Sequence, residues 1–183
     1  MEKEKTCCFS GHRPNKLPWG YNETSNDCVD MIVKLGVEIE QMRKKGVTTF
    51  LTGMAMGTDM IAAELVLDLK YAYPEEEIRL IAVVPYSGQS ERWSRNYQIR
   101  YETILEQADE QIVLSPFYTK SCMHQRNRYM VDHSAHLCKR DQRRLSGSSR
   151  TICAYERSKA NAVRTDVTGL LSSLCRTAGR YRW

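Results

Sequence analysis

Val47-Thr48-Thr49-Phe50-Leu51-Thr52-Gly53-Met54-Ala55-Met56-Gly57-Thr58-Asp59 reads as a buried strand that runs straight into a glycine-bearing turn and the start of a helix. An uncharged run of β-branched and apolar residues fits a strand covered on both faces. Gly53 and Gly57 let the chain turn sharply, and Thr58 can cap a helix whose apolar stripe is Ile61, Leu65, Val66 and Leu69. Asp59 falls in the first turn, where negative charge suits the helix dipole by about 0.3–1 kcal/mol. A strand feeding a helix through so short a turn is the repeating unit of a parallel α/β sheet.

The same unit recurs on either side. Residues 6–9 form a short β-branched, cysteine and aromatic run that stops at Ser10-Gly11. Adjacent Cys7 and Cys8 would point to opposite faces of that strand, which excludes them as a zinc pair. Ser25 or Asn26 caps a helix with Ile32, Leu35, Ile39 and Met42 inward, closed by Lys44, Lys45 and Gly46. After Pro74, residues 78–84 are a continuous buried-strand run, ended by Pro85-Tyr86-Ser87-Gly88. A third helix is expected over residues 92–107 with Tyr97, Tyr101, Ile104 and Leu105 inward. A fourth strand over 111–114 and a fourth helix over 122–133 follow. Such alternation forces parallel pairing with right-handed crossovers, so the expected fold is α/β, an open parallel sheet with helices on both faces.

Ligands bind such sheets outside the carboxyl ends of the strands, where the strand order reverses. Three loops would share that rim: Ser10-Gly11-His12-Arg13-Pro14, the Gly53 to Thr58 turn, and Pro85-Tyr86 with Gln89 and Trp93. The backbone N–H groups at the start of a helix attract phosphate, glycines let an anion approach the main chain, and the Thr58 hydroxyl can reach a phosphate oxygen. Arg13 suits two phosphate oxygens at once, and His12 could serve as an acid or base near neutral pH. Trp19, Tyr21, Tyr86 and Trp93 offer a stacking face for a base, or else core. Neither a Walker A motif nor G-x-G-x-x-G is present, which argues against P-loop NTPases and standard dinucleotide dehydrogenases. Cys122, His124, His133, His136 and Cys138 lack metal-ligand spacing, so no metal site is expected.

With 183 residues, 42% hydrophobic and 27% charged, the chain is expected to be globular. No run approaches the 18 or more apolar residues of a membrane span. The N-terminus lacks a signal-peptide apolar region, and seven cysteines read as reduced thiols, so a cytoplasmic chain without a membrane partner is expected. The net charge of +5 conceals an asymmetry: residues 135–183 hold 11 Lys+Arg against 3 Asp+Glu, leaving 16 against 19 for residues 1–134. Such a basic end can mark a nucleic-acid or acidic partner.

Several stretches together resemble one family: Cys8-Phe9-Ser10-Gly11-His12-Arg13-Pro14, Leu17-Pro18-Trp19-Gly20-Tyr21, Thr52 through Asp59, Ala62-Ala63-Glu64, and Arg126-Asn127-Arg128-Tyr129-Met130-Val131-Asp132. They look like the YpsA-type proteins, a domain of unknown function in the SLOG superfamily. The resemblance covers about residues 6–134 and implies a Rossmann-like fold that binds a nucleotide-derived ligand such as ADP-ribose or an NAD-like compound, in a sensor or regulatory role. Carried over by motif, Gly11, Arg13, Gly53, Gly57, Thr58 and Asp59 would line the ligand site. His12, Met54, Pro85, Tyr86 and Trp93 complete the expected ligand-binding set. No cofactor is required, nucleic acid is the less favoured partner, and a homo-oligomer is left open.

The superfamily also includes LOG-type phosphoribohydrolases and the DprA group, so two alternatives accompany the binding reading: hydrolysis of a nucleotide N-glycosidic bond, and single-strand DNA binding through the basic end. For hydrolysis the candidate groups are Glu64 and His12. Counting from Gly57-Thr58, however, Ile61 stands where the hydrolase glutamate would be, and Glu64 lies about 4.5 Å further along the helix. Ion pairing is the better reading of Glu64. Beyond residue 134 the resemblance implies an apolar strand and a second glycine loop, but the chain reads Ala135-His136-Leu137-Cys138-Lys139-Arg140-Asp141. A central buried strand cannot carry that charge without partners. Residues 135–183 are therefore expected to be a divergent basic segment outside a 1–134 core: frameshifted, decayed or poorly ordered. Residues 145–149 and 151–154 resemble a worn remnant of the missing loop and its helix.

Overall fold

The computed structural model describes residues 1–139. Five strands, β1 (Thr6–Ser10), β2 (Thr49–Thr52), β3 (Arg79–Val84), β4 (Glu110–Val113) and β5 (His136–Lys139), make one all-parallel sheet in the order β4-β3-β2-β1-β5. Four helices alternate with them: α1 (Asn26–Lys44), α2 (Thr58–Ala72), α3 (Arg95–Gln107) and α4 (Cys122–Asp132). The first four strands advance in one direction, and α4 then carries the chain back so that β5 lies on the other side of β1. The strand order therefore reverses between β1 and β5, and the loop leaving β1 sits at that reversal.

The two faces of the sheet are covered differently. Contacts of α1 with α2 and of α2 with α3 make one helical layer, with α2 central over β1, β2 and β3. That position explains why α2 is buried almost all round, with Met60, Ala62 and Ala63 as inaccessible as its expected stripe. On the opposite face Met130 of α4 packs against Cys8, Leu51, Ile81 and Val83. Cys7 and Cys8 lie in successive, oppositely facing positions of β1, and both are buried because each face is covered. Phe9 stacks on Phe50 with ring centroids 5.9 Å apart. Burial of this kind removes about 25 cal/mol per Å² of apolar surface from water and is what holds helices to sheet.

Several expected boundaries and stripes shift, each for a local reason. The stripe of α1 is Cys28, Met31, Leu35 and Ile39, with Ile32 and Met42 at its margin; Ser25 caps the helix by accepting from the Cys28 N–H at 3.3 Å. The third helix starts at Arg95 rather than residue 92, because Ser94 takes the extended cap conformation and residues 88–93 form turns instead. The largest difference is β5, which takes residues 136–139 into the sheet beyond the expected limit at 134. Its register sets Cys7 opposite His136 and Phe9 opposite Cys138. The charge objection does not reach β5, because only Lys139 of its four residues is charged, Leu137 packs on the core, and His136 Nε2 meets the Glu4 carbonyl at 3.1 Å. The expected loop remnant at 145–154 and most of the basic end, with the DNA-binding reading that depends on it, lie outside the described residues. No described helix is long and apolar enough to cross a membrane.

Candidate functional site

The loop after β1 and the start of α2 are joined by a seam of main-chain contact. The His12 carbonyl accepts from the Thr58 N–H at 3.3 Å and from the Thr58 hydroxyl at 3.2 Å. Glycine is needed on both sides of the seam. A Cβ at position 11 would lie 2.3 Å from Thr58 Cβ; one at position 57, where φ is +92°, would lie 2.7 Å from the His12 oxygen. Gly11 and Gly57 thus allow a tight fit between two protein segments. The Thr58 hydroxyl likewise serves the seam. No side chain caps α2 at Gly57.

The turn after β2 is filled from the other face. Arg126 of α4 donates from Nη1 to the Gly53 carbonyl at 2.7 Å, and a Cβ on Gly53 would meet that nitrogen at 2.4 Å. The same nitrogen lies 3.5 Å from Asp59 Oδ2, and Nε and Nη2 donate to Asn127 Oδ1 at 3.0 and 2.7 Å. Both charges are nearly sealed, with side chains 9% and 5% exposed. Burial pushes the Asp59 carboxyl above its usual range, against the pull of Arg126, the Ala55 N–H and Arg13. Burial also lowers the Arg126 guanidinium, against the pull of Asp59. Asp59 is therefore turned into the fold and balanced by Arg126. Arg126 is the site residue that the reading of the sequence missed: it stood in a quoted motif, but nothing in a helical arginine announces that it crosses to a glycine turn.

Met54 and Gln89 connect the second loop to the third. Met54 is buried with φ at +52°, a left-handed conformation that few residues other than glycine adopt. Its N–H donates to Thr52 Oγ1 at 3.2 Å, and its carbonyl accepts from Gln89 Nε2 at 2.6 Å. Pro85 is buried. Tyr86 meets Tyr118 edge to face at 5.4 Å, and Trp93 meets Tyr101 in the same way at 5.3 Å. Trp19 is core, and Tyr21 packs edge to face on Tyr97 at 5.9 Å.

Arg13 differs from these settled groups. It is exposed, and its Nη2 lies 3.8 Å from the Met123 thioether, a weak acceptor. Its positive field reaches both Asp59 and Arg126. The ring of His12 is half-buried beside it. Glu64 lies elsewhere: its two carboxylate oxygens accept from Arg100 at 2.6 and 2.5 Å, and Arg100 also grips Glu23 at 2.8 and 2.9 Å. That pairing ties the loop before α1 to α2 and α3. Among the described residues no group of three His, Cys, Asp or Glu side chains is placed to hold a metal ion. Cys138 lies 3.4 Å from Cys7, and His133 stacks on Tyr129 at 4.0 Å.

A family model described as the YspA SLOG family matches residues 7–168. A UPF0398 protein of Bacillus velezensis is 26% identical over 133 residues, covering 71% of this chain and 71% of its own length. A UPF0398 protein of Staphylococcus epidermidis is 28% identical over 132 residues, covering 71% of this chain and 69% of its own. The uncharacterized SPbeta prophage-derived protein YoqJ of Bacillus subtilis is 32% identical over 112 residues, 55% of this chain and 64% of that protein.

Proposed function

The chain belongs to the YspA SLOG family, and from the site it builds on that fold we propose that it binds the phosphate of a nucleotide-derived small molecule, ADP-ribose or an NAD-like compound, in a sensor or regulatory role. The observation that carries this reading is Arg13: an exposed guanidinium with a thioether as its neighbour, on the loop at the reversal of strand order, beside a helix start that no side chain caps. A phosphate there would replace a weak sulfur contact with a charge-assisted one. Arg126, by contrast, is balanced by Asp59 and holds the second loop in shape. Binding without turnover fits the chemistry of the groups, since the carboxylate of Glu64 is committed to Arg100.

Calorimetry of the full chain against ADP-ribose, NAD and AMP tests the proposal. At least one should bind, and Arg13→Ala should weaken it by roughly tenfold while leaving the melting temperature unchanged, the scale of one charge-assisted hydrogen bond. Failure of all three to bind the folded protein, or equal binding by the Arg13→Ala variant, would overturn it.

A further inference from the structure

We infer that Phe117 and Tyr118 form the seat on which the ligand's aromatic base stacks, so that the site takes a base-bearing phosphate in preference to a bare sugar phosphate. This rests on the phosphate reading given above. Phe117 is 77% and Tyr118 63% exposed, and they are the one pair of consecutive large apolar side chains exposed among the described residues. Single exposed apolar residues are ordinary on a protein surface, whereas adjoining ones call for an explanation. The pair is also held in place. Ser115 Oγ accepts from the Phe117 N–H at 3.3 Å and donates to the Phe117 carbonyl at 2.7 Å, and the Ser115 carbonyl accepts from the Ser87 N–H at 3.0 Å. Tyr118 meets Tyr86 edge to face, a contact that takes up at most one face of its ring. The backbone that carries both rings is thus pinned while the rings face water, without the burial that usually offsets such ordering.

Position selects what would cover them. Residues 115–119 leave the carboxyl end of β4 and Arg13 leaves that of β1, so both stand on the same rim of an all-parallel sheet. They are also close along the chain path. Met123, whose thioether lies beside the Arg13 guanidinium, follows Tyr118 by five residues, which span about 18 Å when fully extended. A turn closed by the Cys122 N–H on the Thr119 carbonyl, at 3.2 Å, shortens that path. A nucleotide-derived ligand whose phosphate meets Arg13 therefore has the pair within reach of its base. Size argues against a protein in that place. At about 150–250 Å² for a whole aromatic side chain, the two rings offer roughly 300 Å², against about 800 Å² per partner in a stable protein interface. A flat base fits that area and, having a π-face, gains from stacking. The aromatics singled out in the sequence are less available, since Trp19 is core and Trp93 is half-buried against Tyr101.

The test is calorimetry of the full chain with AMP, ADP-ribose, ribose 5-phosphate and inorganic pyrophosphate as probes. At least one of the two adenine nucleotides should bind about tenfold or more tightly than both base-free probes, the scale of one stacked base. A double variant, Phe117→Ala with Tyr118→Ala, should bind that nucleotide no better than the base-free probes at little change in melting temperature, whereas Tyr118→Phe, which keeps a ring, should retain the preference. Adenine nucleotides that bind the unaltered chain no more tightly than the base-free probes, or a folded double variant with its preference intact, overturn this inference and leave the phosphate reading standing; binding of none of the four overturns both. If the double variant fails to fold, Phe117→Ala alone, at the more exposed position, takes its place, with a several-fold loss of nucleotide affinity expected and unchanged affinity overturning the stacking role.

Discussion

Replacing Arg126 by Met should destabilise the protein severely at neutral pH, and the loss should be recovered by a second change, Asp59→Asn. The side chains of this pair are 9% and 5% exposed, so deleting the guanidinium strands a carboxylate inside the fold and also takes the donor from the Gly53 carbonyl. Breaking a buried pair on one side costs about 3–5 kcal/mol, and at about 2–4 °C per kcal/mol for a chain of this size the midpoint should fall by roughly 6–20 °C. The penalty must depend on pH in a fixed direction. Burial already raises the Asp59 carboxyl, and loss of Arg126, the first of the groups that oppose the rise, raises it further. A carboxyl whose folded-state value is raised favours folding most when protonated, below its unfolded value near 3.9, and that advantage is lost as pH rises through the folded value. Thermal unfolding followed by near-ultraviolet circular dichroism should therefore show the gap between Arg126→Met and the parent narrowing from pH 7.5 to pH 4.5. In the double variant the gap at pH 7.5 should shrink by at least half. A gap that is constant across that range, with a double variant no more stable than the single one, would refute the account of Arg126 as the counter-charge of Asp59.

Other parts of the structure give shorter tests. Gly11→Ala should cost about 1–3 kcal/mol in chemical unfolding, because its Cβ would lie 2.3 Å from Thr58 Cβ; an unchanged midpoint for Gly11→Ala would deny the seam. Cys8 and Cys28, buried and pushed up to about 11 chiefly by burial, should stay unlabelled by iodoacetamide in the folded protein at pH 7.5, as read by peptide mass mapping; labelling at the rate of the unfolded chain would contradict the packing. Burial alone would raise the Asp109 carboxyl, but Lys70 and the Leu80 N–H outweigh it and hold it below the usual range. Its contribution is therefore present above the unfolded value and lost as pH falls through the folded one, so Asp109→Asn should be less stable than the parent at pH 7 and closer to it at pH 3; a difference that grows toward acid would reverse the assignment.

The repeating strand and helix pattern could be read from the sequence because sheets and helices bury apolar residues at periods that need no tertiary knowledge, as in residues 47–69. The shift in α1 from Ile32 to Met31 follows from packing on both the sheet and α2, which a single stripe does not encode. β5 escaped for a related reason. The short segment 136–139 has no periodicity, and its charged surroundings argue against a strand; the strand itself carries only Lys139 of that charge, and the rest lies beyond it. The rim was legible as three loops. Its interior was not, since the partners of Gly53 and Met54 are Arg126 and Gln89, 73 and 35 residues away in the chain.

The glycines carry the deeper lesson for the site. A glycine turn at a helix start has two incompatible uses, since the space of the missing Cβ admits either a ligand or another protein group. Here Thr58 stands against Gly11, the His12 carbonyl against Gly57 and the Arg126 guanidinium against Gly53. With all three spaces taken, the main chain of the turn acts first as a joint between the β1 loop, α2 and α4. Attraction for an anion then falls to the groups that the joint positions rather than to the joint itself. Arg13 is carried on one side of the seam and keeps its exposed guanidinium for that purpose. Binding should accordingly respond to Arg13 substitutions at unchanged stability, whereas glycine substitutions should act through stability. Affinity and melting temperature measured together across both sets separate the two roles. A glycine variant with full stability and abolished binding would return the turn to direct contact with the ligand.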